Sequence, residues 1–238
     1  MKKIVITGIG MVTPVGNGKS ASWNAVKEGK CGIGRITKFD PSNCTCQVAG
    51  ELKDFDAYLA ETGYVDRKSA RHMDPFSIYG VAAAVEAWKD AGFTDENRPD
   101  MDRVGTMVGN GIGGMQTTGE AWKTLFDRGP DRLSPLAIPE LIANEAAGNI
   151  SMALGAKGPA QVVVTACASS TDALGVALCH AFTSRFGELF AVGNMTRTKG
   201  KNASAQAVDI IAEAERRRAQ KQKNTQAGMR VNQTEGEK

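Results

Sequence analysis

Cys167 is the residue whose surroundings most favour a role as a nucleophile. The β-branched run 161–165 (Gln-Val-Val-Val-Thr) precedes it, and small residues typical of a helix start follow it. A strand that leads into a helix puts the cysteine at the helix N-terminus, where unpaired N–H groups and the positive end of the helix dipole favour a thiolate. The alternative is a buried structural cysteine, the usual role of a lone cysteine.

Only two histidines, His72 and His180, could assist such a cysteine. His180 follows Cys167 by 13 residues, which is about 20 Å along one helix at a rise of 1.5 Å per residue. His72 lies at the start of a predicted long helix. Neither histidine is therefore predicted to act on Cys167.

Two glycine-containing loops resemble nucleotide-binding motifs without completing them. Gly109-x-Gly-x-x-Gly114 follows a predicted strand and opens a helix, as in a dinucleotide-binding fingerprint. That site also needs an acidic residue at the end of a second strand about 20 residues later, where the sequence has the turn-like segment 126–132. The segment 16–20 resembles the end of a phosphate-binding loop, but Pro14 stiffens what precedes it. Nucleotide binding is not favoured, and no cofactor is predicted.

The five cysteines indicate a reducing compartment rather than a disulfide framework. Their number is odd and their spacing does not repeat. Cys31, Cys44 and Cys46 could suggest a metal site, but the spacing is not Cys-x-x-Cys and no paired histidine completes four ligands. We therefore predict scattered reduced thiols, no metal, and a cytoplasmic protein.

The elements that must position Cys167 alternate between strands and helices. This alternation predicts an α/β layered domain with a mixed sheet. The predicted strands cover residues 3–9, 46–52, 103–108, 161–165 and 188–192, and the predicted helices cover residues 20–28, 69–91, 114–127, 139–154 and 167–184.

Composition is that of an ordinary globular chain with a basic C-terminal tail. The 238 residues are 42% hydrophobic and 23% charged, with a formal net charge of +3. No apolar run reaches the roughly 18 residues needed to span a bilayer. The ten Lys/Arg and five Asp/Glu from Arg197 onward give that segment +5, against −2 for residues 1–196. We therefore divide the chain into a domain at 1–196 and a divergent tail at 197–238.

The tail is predicted to be helical and then disordered. Residues 203–223 favour a helix with a thin apolar stripe at Val208, Ile211 and Ala212, and residues 225–238 are polar. The basic run 216–218 could bind nucleic acid. Because no aromatic residues are interleaved with it, a solvated charged helix is favoured, and no nucleic-acid partner is predicted.

Six segments, in this order along the chain, closely resemble the N-terminal half of a β-ketoacyl-ACP synthase of the type II elongating class. The resemblance runs from about residue 2 to about residue 178. It implies the first half of a thiolase-type fold, a tandem duplication of two similar α/β halves around shared central helices. The segments that carry it are residues 5–16, 109–114, 134–139, 142–148, 155–159 and 165–170.

The resemblance implies an acyltransferase of fatty acid biosynthesis. Cys167 would accept an acyl chain from the acyl carrier protein (ACP), and a condensation with malonyl-ACP would follow. Ile112 and Ala137 match positions that line the acyl pocket, and the family is dimeric. The family's two histidines, a lysine and an oxyanion loop lie in the second half, so we expect acylation without condensation. The open alternative is a non-catalytic half that acts as an interaction or dimerisation module, and a half-domain is expected to self-associate.

Three positions depart from the pattern that the resemblance implies. Glu145 stands where an apolar residue is usual, inside a helix expected to be buried, so its carboxylate needs a partner. Ala137 replaces a frequent aromatic residue, which leaves a roomier pocket. Asp172 replaces a frequent histidine.

Overall fold

The structure is a computed structural model that describes residues 4–183 and 188–192. The predicted tail at 197–238 lies outside these residues. Short 3-10 turns occur at Met101–Arg103, Pro130–Arg132 and Ala166–Ala168. In chain order the strands and helices are β1 (Val12–Thr13), β2 (Gly16–Asn17), α1 (Lys19–Lys27), β3 (Ile33–Arg35), β4 (Val48–Gly50), α2 (Phe55–Thr62), α3 (Arg67–Ala70), α4 (Pro75–Asp90), β5 (Val104–Gly109), α5 (Met115–Arg128), α6 (Ala137–Leu141), α7 (Glu145–Leu154), β6 (Ala160–Val163), α8 (Ser169–Thr183) and β7 (Glu188–Val192).

β5 is the central strand of a three-stranded sheet. β6 and β7 both pair with it in parallel, and Thr106 lies opposite Ala160 on one side and Phe190 on the other. All six residues of β5 are buried, as expected for a parallel strand covered on both faces. Antiparallel pairing occurs in two small ladders, β1–β2 and β3–β4.

The two faces of β5 pack against different helices. Val104 and Val108 contribute to a core shared with α4 and α7. Met107, which points to the opposite face, packs against Ala173 and Ala177 of α8. The sheet therefore has helices on both faces, and α8 lies directly against the strand that precedes the glycine loop.

Buried hydroxyl and amide groups connect these layers. Asn149 of α7 donates to the Ser77 hydroxyl of α4 at 2.8 Å. The Thr106 hydroxyl donates to the Ala147 carbonyl at 3.1 Å and pairs with the Ser151 hydroxyl at 2.8 Å. These bonds satisfy buried polar groups that would otherwise cost free energy.

The helix predicted at residues 69–91 is two helices, and the single-helix prediction is wrong. α3 ends at Ala70, and α4 begins at Pro75 with Asp74 as its N-cap. Proline disfavours a helical conformation in the residue before it and is favoured at the first helical position. Asp74 accordingly has extended backbone angles, and its carboxylate accepts from the Phe76 N–H at 3.2 Å.

The helix predicted at residues 139–154 is also interrupted. α6 ends at Leu141, Ile142 is extended, and α7 begins at Glu145. Glu145 is thus in the first turn of α7, not inside a buried helix as we expected, and a carboxylate at that position interacts favourably with the helix dipole.

The strand predicted at residues 3–9 is absent among the described residues 4–9. Ile9 N–H donates to Asp90 at 3.0 Å, and Met11 N–H donates to Glu86 at 2.8 Å, so these amides bond to side chains of α4. The backbone at Gly10 lies against the Ala83 carbonyl so closely that a Cβ there would come within 1.9 Å of it. This approach to α4 replaces strand pairing.

The strand predicted at 161–165 forms as β6, but it is partly exposed rather than buried, and among the described strands it pairs with β5 alone. Its first two residues, Ala160 and Gln161, are exposed. The part of the chain that the structure describes contains no helix long and apolar enough to cross a membrane.

Candidate active site

Cys167 lies in the turn that joins β6 to α8. β6 ends at Val163, the 3-10 turn spans Ala166–Ala168, and α8 begins at Ser169. Cys167 is exposed, so the alternative of a buried structural cysteine is wrong. The thiol stands at the N-terminal end of a helical segment, where amide groups lack intrahelical carbonyl partners.

The backbone of this turn is constrained. Ala166, the residue before the cysteine, has a φ of 51°, in the left-handed region that residues with a Cβ rarely adopt. Thr165 before it has a φ of −133° and a ψ of 44°. A residue held in such a conformation persists only where its surroundings fix it, and such residues cluster at functional sites.

Two side chains of α8 fix the turn from the helix side. The Ser169 hydroxyl bonds to the backbone on both sides of Ala166, at Thr165 N–H and at the Ala166 carbonyl. The Thr165 hydroxyl donates to the Asp172 carboxylate at 2.6 Å. Asp172, which the resemblance marked as a departure, therefore anchors the residue two positions before the cysteine.

The glycine loop after β5 is organised by Asn110, which is 1% exposed. Its Oδ1 accepts from the N–H groups of Ile112 and Gly113 at 3.2 and 3.1 Å. Its Nδ2 donates to the Ala143 carbonyl at 3.0 Å. One buried amide thus closes the loop on itself and ties it to the junction between α6 and α7.

Close backbone approaches hold both ends of this loop. A Cβ at Gly109 would come within 2.5 Å of the backbone of Ser169, so the strand end abuts the start of α8. Gly113 has a φ of 97°, and a Cβ there would come within 2.4 Å of the Leu141 carbonyl. These glycines are needed for packing and for a left-handed conformation, which gives the loop a structural role independent of phosphate binding.

The predicted pocket residues lie on either side of this organised region. Ile112 is on the glycine loop with 69% of its surface exposed. Ala137 is half-buried at the first residue of α6. The glycine loop that carries Ile112 packs against the start of α8 at its first residue and against the end of α6 at Gly113. The substrate-binding roles of Ile112 and Ala137 remain predictions.

The two histidines lie on different elements. His180 is on α8, the helix that Cys167 precedes, and His72 is exposed in the turn between α3 and α4.

Cys31 and Cys46 are at opposite ends of the β3–β4 ladder, each with its sulfur near a backbone carbonyl two residues later.

Two carboxylates of α4, Asp90 and Glu86, bond to groups in the first 19 residues. A bond from the Lys19 ammonium, and next the bond from the Ile9 N–H, lower the pKa of Asp90 below its usual value. Glu86, one helical turn earlier, accepts from the Lys19 N–H at 2.7 Å and so caps α1, whose N-cap Gly18 has no side chain.

An aromatic pair stands exposed on α5. The rings of Trp122 and Phe126 stack at 5.7 Å, and the two side chains are 56% and 78% exposed. Met115, on the same face of the helix, is 52% exposed. An apolar stripe of this kind typically marks a surface that another protein segment covers.

Three residues that organise this region were not identified from the sequence: Asp74, Asn110 and Ser169. The Asp74-Pro75 pair is a helix-start signature, but the helical pattern of residues 69–91 continues across it. The bonds of Asn110 and Ser169 carry no sequence signal, because each depends on the tertiary position of a backbone group.

The profile of the family described as "Beta-ketoacyl synthase, N-terminal domain" matches residues 1–224 of the chain. This match extends beyond about residue 178, the predicted end of the resemblance. The fold is also similar to the crystal structure of a β-ketoacyl synthase from Burkholderia phymatum STM815. The TM-score is 0.64 and the identity 27%, over 76% of this chain and 44% of that one.

Curated relatives bear the name 3-oxoacyl-[acyl-carrier-protein] synthase 2. The one from Synechocystis sp. is 44% identical over 174 residues, which is 73% of this chain and 41% of the relative. The one from Staphylococcus aureus (strain COL) is 44% identical over 176 residues, 74% of this chain and 41% of the relative. The chain thus spans about two fifths of the length of these relatives.

Proposed function

The chain belongs to the β-ketoacyl synthase family, and from this membership we propose that it accepts an acyl group from acyl-ACP onto Cys167. The observation that carries the proposal is the exposed cysteine at a constrained strand-to-helix turn. Access to solvent and a position at a helix N-terminus are together typical of reactive cysteines. Relatives named for the acyl-carrier protein supply the class of donor.

The transfer is a thioester exchange. The Cys167 sulfur, after losing its proton, attacks the carbonyl carbon of the acyl thioester, and a tetrahedral oxyanion forms. The bond between that carbon and the carrier's sulfur then breaks, and the carrier thiolate takes up a proton. In this proposal the backbone N–H of Cys167, near the positive end of α8, donates to the oxyanion.

In this proposal the glycine loop and α6 line the pocket that selects the length of the acyl chain. Ile112 contacts the acyl chain from a loop that Asn110 holds, and its 69% exposure is consistent with a side chain covered only by substrate or by another chain. Ala137, a small residue, leaves room for the chain. These roles make Ile112 and Ala137 determinants of acyl-chain length.

Condensation with malonyl-ACP is not expected from this chain alone. Decarboxylation in the family relies on two histidines beyond this half, and the histidines here are His72 and His180. A position 13 residues from Cys167 along one helix puts His180 about 20 Å away. We propose that acyl transfer to Cys167 occurs slowly and that condensation with malonyl-ACP does not occur in this chain alone. We also propose that the protein acts in the reducing environment of the cytoplasm.

The test is covalent labelling followed by peptide mapping. The purified chain is incubated with ACP loaded with acyl groups of four to twelve carbons, and intact mass and tryptic peptides are measured. One acyl adduct on the Cys167 peptide is expected, with none in Cys167→Ala. Cys179→Ala, which removes another exposed cysteine of the same segment, serves as the matched control. No adduct with any chain length would refute acyl transfer, and a β-ketoacyl product after malonyl-ACP is added would refute the restriction to the first step.

A second candidate function is an interaction or dimerisation module. The exposed stripe of Met115, Trp122 and Phe126 on α5 favours it. In this case Cys167→Ala leaves self-association unchanged, whereas Trp122→Glu with Phe126→Glu abolishes it in analytical ultracentrifugation. A monodisperse wild-type monomer would refute dimerisation through this stripe, and loss of acylation but not association in Cys167→Ala would separate the two functions.

A further inference from the structure

Ser169 makes an unusual pair of hydrogen bonds for a residue at the start of a helix. Its hydroxyl accepts from the Thr165 N–H at 2.9 Å and donates to the Ala166 carbonyl at 2.7 Å. A serine that caps a helix accepts instead from amides two or three residues ahead of it. The Ser169 hydroxyl therefore bonds backward, to the turn that carries the cysteine.

These two bonds enclose the strained residue. Thr165 and Ala166 precede Cys167, and Ala166 has the left-handed φ of 51°. The amide of Thr165 lies just beyond the end of β6 and the carbonyl of Ala166 lies within the turn, so neither is part of the sheet. The hydroxyl bonds to both groups at once, the Ala166 carbonyl also accepts from the Ser169 N–H, and together these bonds fix the conformation immediately before the nucleophile.

Ser169 itself is buried and packs closely against β5. It is 0% exposed, and the backbone of Gly109 at the end of β5 lies so close that a Cβ there would come within 2.5 Å of it. The backbone of Ser169 therefore packs against the end of the fully buried strand β5, while its hydroxyl bonds to the turn before Cys167.

We propose that Ser169 is a positioning residue that sets the orientation of the Cys167 thiol for acyl transfer. The proposal rests on the proposed function of Cys167, but it also predicts an intrinsic property of the thiol. Displacement of a reacting group by about 1 Å can cost about 100-fold in rate. Loss of the hydroxyl is expected to lower the acylation rate by about 10- to 100-fold.

The experiment compares Ser169→Ala with Ser170→Ala, the adjacent serine, which is half-buried. The maximal rate and half-saturating concentration of acylation are measured with the acyl-ACP that labels the wild type fastest. In parallel, iodoacetamide labelling is followed for each cysteine by peptide mass spectrometry, with the exposed Cys44 and Cys46 as internal references. Far-UV circular dichroism and the thermal midpoint report folding.

Ser169→Ala is expected to lower the maximal acylation rate at least tenfold with little change in half-saturation. It is also expected to change the labelling ratio of Cys167 to Cys44 at least threefold. Ser170→Ala is expected to match the wild type in both. Values for Ser169→Ala within twofold of the wild type in both assays overturn the proposal. So does a loss that follows the thermal midpoint while the labelling ratio is unchanged.

A second pair keeps the test valid if Ser169→Ala does not fold. Ser169→Thr retains the hydroxyl and Ser169→Val replaces it by a methyl of similar volume, so their difference isolates the hydrogen bonds. Thr is expected to exceed Val at least tenfold in acylation, and equal rates overturn the proposal. If the wild type accepts no acyl group, the proposed function fails, and the labelling ratios alone decide the role of Ser169.

Discussion

Replacing Asp74 is expected to destabilise the protein far more than replacing Asp66, although both are helix N-caps. Asp74 is 4% exposed, and its carboxylate accepts from the N–H groups of Phe76 and Thr117 at 3.2 and 2.8 Å. It thereby joins the start of α4 to the first turn of α5. Asp66 is exposed, and its carboxylate accepts from the N–H and hydroxyl of Ser69 within one short helix.

The expected magnitude follows from burial. Loss of an N-cap side chain costs about 1 kcal/mol. Asp74→Ala also leaves the Thr117 N–H without its carboxylate partner in a partly buried place, which adds about 1–3 kcal/mol. The total is about 2–4 kcal/mol. Asp66→Ala loses only the cap of one short exposed helix, where water can replace part of the carboxylate's bonding, so its loss should be clearly smaller than that of Asp74→Ala.

Urea denaturation followed by circular dichroism measures both variants against the wild type. A shift in midpoint at constant slope reports a change in the free energy of unfolding. Asp74→Asn, which keeps an acceptor oxygen, should fall between the wild type and Asp74→Ala. Equal losses for Asp66→Ala and Asp74→Ala, or a loss below about 1 kcal/mol for Asp74→Ala, would refute the argument that burial sets the cost.

Two further predictions concern the contact behind the nucleophile and the salt bridge on α4. Gly109→Ala would put a Cβ within 2.5 Å of the Ser169 backbone, so the free energy of unfolding should fall by about 1–3 kcal/mol and cysteine acylation should slow by about 100-fold. Gly119→Ala, where a Cβ meets no atom within 4 Å, is the control and should stabilise α5 by up to about 1 kcal/mol. An unchanged acylation rate in Gly109→Ala would contradict the first prediction. Because the Lys19 ammonium lowers the pKa of Asp90 from 3.8, this carboxylate's contribution should be complete above that pH and lost as the pH falls through the lowered value. Urea midpoints from pH 6 to pH 2 should therefore fall less in Asp90→Asn than in the wild type, and parallel curves would contradict the assignment.

The elements around the candidate nucleophile were predictable because their signals are local. The β-branched run before Cys167 and the small residues after it specify β6 and α8 within one or two residues. The short uncharged run at 104–108, which begins and ends with valine, and the following glycines similarly specify β5 and its loop. Each signal depends only on neighbours along the chain, so a single sequence contains it.

The errors arose where tertiary bonds outweigh local preference. Residues 139–154 have a continuous helical pattern, yet the chain is extended at Ile142, where the Gly114 N–H bonds to the Leu141 carbonyl and Asn110 bonds to that of Ala143. Likewise, the run at 4–9 has strand-forming residues, but its neighbouring amides bond to carboxylates of α4. No pattern within either segment reports these partners.

The parallel order of the sheet also governs how long the chain stays incompletely folded during synthesis. β5 gains its neighbour β7 only after roughly 80 more residues have been made, which takes about 4–16 s at 5–20 residues per second. During that interval the central strand lacks one partner, and Val5 and Ile6, which are 70% and 81% exposed even in the folded chain, are already outside the ribosome. Chaperones that bind apolar segments have this interval in which to act, and slower translation through the β5–β7 connection would lengthen it.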